Sequence, residues 1–181
     1  MLEYYNNETK TLTIPYDFND VLKDIPNDTK IIIFSENYKN RELSIFNQKI
    51  KENILPKSLH TIYFGWYFNQ EIKENVLPYS LHTLTFGWSF NQEIKTNVFP
   101  KSIKQIGLYS HCKLINNLPL QLEEVYIIFS FWNQFNKEVN NLPMTLKKVI
   151  IENEKYLKYI TKKPFGCDII IKDFYKSFAH T

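Results

Sequence analysis

The sequence predicts a repeat solenoid, one short unit stacked on itself along a parallel β ladder. Three observations predict it. The string from Phe68 to Trp88 recurs almost unchanged from Phe46 and more loosely from Phe90, so these phenylalanines fall 22 residues apart. Seven of the eight prolines, Pro26, Pro56, Pro78, Pro100, Pro119, Pro143 and Pro164, occupy one equivalent place. Apolar residues recur three, six and eight places after nearly every one of them, and the last two alternate as a strand does.

The chain opens on two apolar-aromatic runs, Leu2 to Tyr5 and Lys10 to Ile14, around Asn6-Asn7-Glu8-Thr9. Turn-prone residues between such runs read as a β-hairpin. It caps the solenoid, whose terminal repeat would otherwise expose an apolar face. Residues 1–17 form this cap, 18–171 about seven repeats and 172–181 a tail that closes the other end.

Within each repeat, the residue six after proline points inward: Ile32, Ile62, Leu84, Ile106, Val125, Val149 and Ile170. So does the residue eight after, from Phe34, Phe64 and Phe86 to Ile151. An aromatic slot precedes each proline: Phe18, Phe46, Phe68, Phe90, His111, Phe135 and Tyr156. An aliphatic residue follows four later, which suits a single 3₁₀ or α turn and leaves no room for a long helix. The residue directly after the aromatic slot is Asn in five repeats, Cys112 in the fifth repeat and Leu157 in the last. A repeated Asn at a buried corner can serve backbone groups that the turn leaves unpaired. Two repeats carry insertions, around Asn37 to Arg41 and at Ser130 to Asn133, and in solenoids such loops mark the binding side.

A length of 181 residues suits one domain with a substantial core. The net charge is only +3, arginine occurs once, and the lysines are scattered, which argues against a nucleic-acid footprint. Two distant cysteines, Cys112 and Cys167, give neither a disulfide framework nor a zinc site and fit a reducing compartment. The N-terminus lacks a signal-peptide pattern and no window approaches a membrane span, so an intracellular chain without membrane contact is expected.

The strings Phe68-Asn69-Gln70-Glu71-Ile72, Leu77-Pro78-Tyr79-Ser80-Leu81 and Leu84-Thr85-Phe86-Gly87 resemble the FNIP repeat. That is a 22-residue relative of the leucine-rich repeat, found in social amoebae and in giant viruses that infect amoebae. The resemblance is strong over Phe46 to Leu108 and looser, but in register, on either side. It implies a leucine-rich-repeat-like solenoid, with coil or short turns opposite the β ladder. Some members of the family carry an F-box or a kinase domain beside the repeats, for which this chain has no room.

The outward strand positions, five and seven after proline, are where a partner would meet the ladder. They nominate Thr61, Tyr63, Thr83, Thr85, Gln105, Glu124, Tyr126 and Lys148 as a protein-binding face, with Ile31 and Ile33 at one end and Ile169 and Ile171 at the other. Catalysis has no constellation to support it. His60 and His82 lack further metal ligands, and Cys112 beside His111 is explained better by its slot in the repeat than as a nucleophile. Trp66 and Trp88 follow two Gly turns and stack on one edge. No phosphate loop is present. The expectation is a non-enzymatic module without cofactor or metal that binds another protein through the outer strand face or the inserted loops. The alternative is a structural, virion-type protein that self-associates through its end caps.

Overall fold

The structure is a computed structural model and describes residues 2–37, 40–130 and 133–172, with the side chains of Leu2, Thr96 and Asn133 left aside. The predicted tail beyond Lys172 and the tips of both insertions lie outside the described residues.

One sheet runs through the chain in sequence order. Its strands are β1 (Tyr5–Asn6), β2 (Thr11–Ile14), β3 (Ile31–Phe34), β4 (Thr61–Tyr63), β5 (Thr83–Thr85), β6 (Gln105–Tyr109), β7 (Glu124–Ile128), β8 (Lys148–Ile151) and β9 (Asp168–Ile171). β1 pairs antiparallel with β2, as the cap requires, and every later pairing is parallel. The first arm of the cap is shorter than the sequence suggests, because Leu2–Tyr4 is a 3₁₀ turn and only Tyr5–Asn6 pair. Asn6 Oδ1 accepts the N–H groups of Glu8 and Thr9 and so folds the connecting turn.

Proline explains why the turns are alike. Each of the seven repeat prolines accepts, through its carbonyl, the N–H of the residue three later, at 3.0–3.2 Å. That closes a tight turn leading into the strand. The residue two after proline then ties neighbouring turns. Ser58 Oγ donates to Thr29 O, Ser80 Oγ to Leu59 O, Ser102 Oγ to Leu81 O and Thr145 Oγ1 to Leu122 O, at 2.7–2.8 Å. The residue four after proline offers a carbonyl that accepts two N–H groups of the next turn, as His60 O does from His82 and Thr83.

Inside the ladder the aliphatic and aromatic columns are buried as the period predicts. Phe18, Phe46, Phe68 and Phe90 stack at 5.8–6.2 Å between centroids, beside a second column of Phe34, Phe64 and Phe86. The two columns interlock, with Phe64 3.9 Å from Phe68 and Phe86 3.8 Å from Phe90. Burying rings this size contributes roughly 1.5–3 kcal/mol each.

Opposite the sheet the chain is coil or short 3₁₀ turns, among them Thr96–Val98, Lys113–Asn116 and Glu154–Tyr159. The Asn ladder is real but sits differently. Asn19 Oδ1 accepts the N–H of Asn47, Asn47 that of Asn69, Asn69 that of Asn91 and Asn91 that of Lys113, at 2.9–3.0 Å. These asparagines are half-buried or exposed rather than buried, so the ladder runs along the rim.

That ladder also corrects the fifth repeat. Lys113 occupies the Asn place, so Cys112 fills the aromatic slot and His111 lies outside it. Phe135 is exposed instead of filling its slot, and Asn136 bonds to Ser130 within its own insertion. The last turn is one residue shorter between proline and strand, since Lys148 pairs with Asp168. Ile169 and Ile171 therefore continue the inward columns, and Asp168 and Ile170 take the outward places.

Candidate functional site

The outer face of the ladder divides into three parts. The residues five after proline form a row of polar groups that satisfy one another. Thr83 Oγ1 donates to Gln105 Oε1 at 3.3 Å, Gln105 Nε2 to Glu124 Oε2 at 3.4 Å, and Lys148 bridges Glu124 at 2.6 Å. Thr61 begins this row and, like the others, is half-buried. A partner that docks here must match these bonds or break them, because polar groups covered without partners are costly.

The residues seven after proline behave differently in the two halves of the chain. Ile33 and Tyr63 are half-buried, and burial raises the pKa of the Tyr63 phenol. Thr85 is only 7% exposed and Tyr126 only 6%, so neither offers the accessible contact that alternation alone predicts. Thr85 is covered because it lies tight against the next turn. A side chain at Gly107 would meet its Oγ1 at 2.8 Å. Tyr126 belongs to a second apolar cluster with Tyr109, Ile128 and Ile150, against which Trp88 and Ile170 pack. Its hydroxyl donates at 2.5 Å to the carbonyl of Lys172, the residue after β9.

The third part lies where the strands end. Trp66 and Trp88 stack at 5.6 Å and 16°, as the two Gly turns imply. Glycine is needed there for close approach. A Cβ at Gly87 would sit 2.2 Å from Gly65 O, and one at Gly65 would sit 2.2 Å from Ser44 Cβ. The bases of both insertions reach this indole pair. From the first, Glu36 Oε1 accepts the N–H of Trp66 at 2.5 Å, and Asn37 bridges to Glu42 just beyond. From the second, the Phe135 ring stands edge-on to Trp88 at 5.6 Å. Tyr109 and His111 complete the cluster at 5.1 Å and 4.4 Å from Trp88. Sequence reasoning placed the two indoles together but not the two insertions beside them; their shared distance from the strand ends was the available signal.

His111 Nε2 lies 3.0 Å from Trp88 O, and burial lowers its pKa. The Cys112 thiol is pushed up to about 11 by burial, which keeps it protonated and unreactive at neutral pH. The His60 and His82 rings lie 5.4 Å apart on neighbouring turns. Among the described residues no group of three or more His, Cys, Asp and Glu side chains could hold a metal ion, and no helix is long and apolar enough to cross a membrane.

Comparison with known proteins agrees with this architecture. The family described as FNIP Repeat matches residues 46–89 and 90–130. The crystal structure of CroV588, from a giant virus and described as a novel circular LRR protein structure, is similar at 29% identity and a TM-score of 0.61. The similarity covers 88% of this chain, which spans 23% of the length of that one. No curated protein matches.

Proposed function

The chain carries FNIP repeats in a leucine-rich-repeat-like solenoid, and from that premise we propose that it is a non-enzymatic module that binds another protein. The contact surface is the N-terminal half of the outer face together with the indole pair at its border. Thr61, Tyr63 and Thr83 lie on it, with Ile31 and Ile33 extending it towards the cap. Gln105, Glu124 and Lys148 contribute a polar margin, while Thr85 and Tyr126, being buried, are left out of the contact.

One observation carries this reading: both insertions leave the ladder beside Trp66 and Trp88. A solenoid tolerates an insertion at any turn, so two that converge on one aromatic pair support this border as the contact side. Stacked Trp and Tyr give large contact area at low entropic cost, the composition of interface hot spots.

Affinity capture from the natural host tests it, with wild type and the double variant Thr61→Lys, Thr83→Lys as parallel baits. The reading predicts a protein captured by wild type and lost by the variant, at equal melting temperature. Identical captures by both baits would move the contact elsewhere on the molecule.

A further inference from the structure

The four most exposed large apolar side chains among the described residues are Phe165 (99%), Tyr79 (87%), Met144 (75%) and Leu120 (73%). All four occupy one position, the residue immediately after a repeat proline. Stacking therefore sets them in a single line along the turn edge. Neighbouring turns are about 4.8 Å apart, so the line from Tyr79 to Phe165 is about 19 Å long. It is distinct from the strand face, and its fate is independent of the protein-binding reading.

The same register collects cations. Lys57 and Lys101 occupy the position after proline in two other turns, and Lys104 and Lys147 lie three residues further on in theirs. One carboxylate, Glu123, shares this register, and it is bridged by Lys104 at 2.7 Å and Lys147 at 2.6 Å. Lysines that look scattered in the sequence are thus gathered by the solenoid beside an apolar line. The edge is also rigid, since the hydroxyls of Ser80, Ser102 and Thr145 tie each turn to the one before.

We propose that this turn edge is a peripheral docking site for an anionic lipid surface, with Tyr79, Leu120, Met144 and Phe165 entering the interface and the lysines meeting the headgroups. The form of the edge favours a bilayer over a protein. The line is one residue wide and stands at the tips of turns. Lys101 interrupts it between Tyr79 and Leu120, so it is a ridge of separate side chains rather than the continuous, closely packed patch at the centre of a stable protein interface. An interfacial bilayer accepts protruding side chains without shape complementarity, and basic residues beside apolar anchors give the electrostatic half of such binding. The expectation of no membrane contact rested on the lack of a spanning segment, and this proposal departs from it.

Co-sedimentation of the full chain with vesicles tests the site, using phosphatidylcholine alone and mixed with phosphatidylserine. Wild type is expected to pellet with the anionic vesicles and to be released by salt. The triple variant Leu120→Ser, Met144→Ser, Phe165→Ser should partition about tenfold less well. The variant Lys57→Gln, Lys101→Gln should lose most of the preference for phosphatidylserine. Both should keep a melting temperature close to wild type, because Leu120, Met144 and Phe165 are 73%, 75% and 99% exposed and Lys57 and Lys101 are exposed as well. A wild type that stays in the supernatant with both vesicle types overturns the proposal, as does a folded triple variant that pellets like wild type. A protein captured by a vesicle-indifferent wild type and lost by the triple variant would overturn it in favour of a protein groove.

Discussion

Asn69 shows how a repeated residue acts through its neighbours. Its Oδ1 accepts the N–H of Asn91 at 2.9 Å and the Gln92 side-chain amide at 3.1 Å. Asn69→Ala removes both bonds, but Asn91 is exposed and water can replace part of the loss. The expected cost is about 1 kcal/mol. Thermal denaturation should show a fall in Tm of about 2–4 °C for a domain of this size. Thr85→Lys, which alternation alone would allow, is expected to destabilise, because Thr85 is packed against Gly107. Glu123 makes stability depend on pH. The Lys104 and Lys147 ammonium groups lower its pKa from an ordinary 4.5 to about 2. A carboxylate depressed in the folded state stabilises above its unfolded value and loses that contribution as pH falls from about 4.5 towards 2. Glu123→Gln should therefore differ from wild type in urea midpoints at neutral pH and converge with it near pH 2.

At the scale of the element, the turn was legible because its causes are local. Proline fixes the entry, the inward columns follow from strand alternation, and a long helix has no room. The aromatic slots were read less well, because the segment between slot and proline varies in length. Counting back from proline placed His111 in the slot that the unbroken 22-residue period gives to Cys112. The same anchoring missed the residue absent between Cys167 and Asp168, where no sequence pattern marks the deletion. The serine ladder was visible as Ser58, Ser80 and Ser102 but looked like ordinary turn polarity. The aromatic column supplies the sharpest contrast. Phe68→Ala should cost about 3–5 kcal/mol, since its ring is fully buried between Phe46 and Phe90. Phe135→Ala, at an exposed ring, should cost under about 1 kcal/mol. Chemical denaturation separates the two outcomes.

The whole molecule is a ladder whose two halves differ more than the repeats do. Towards the cap the outer face keeps half-exposed Ile, Thr and Tyr side chains. Beyond β6 the equivalent positions close over Tyr109, Tyr126, Ile128 and Ile150. Alternation predicts which way a side chain points but not what packs beside it, so the burial of Thr85 and Tyr126 could not be read from spacing. The convergence of two distant insertions on Trp66 and Trp88 is likewise a property of stacking, invisible in either segment alone. The central claim is that a protein partner meets the N-terminal half of this face. Site-specific photocrosslinking tests it most directly, with the reactive group at Thr83 on the face or at Lys73 on the opposite coil. The account predicts partner adducts from Thr83 and none from Lys73; adducts from Lys73 alone, or equally from both, would contradict it.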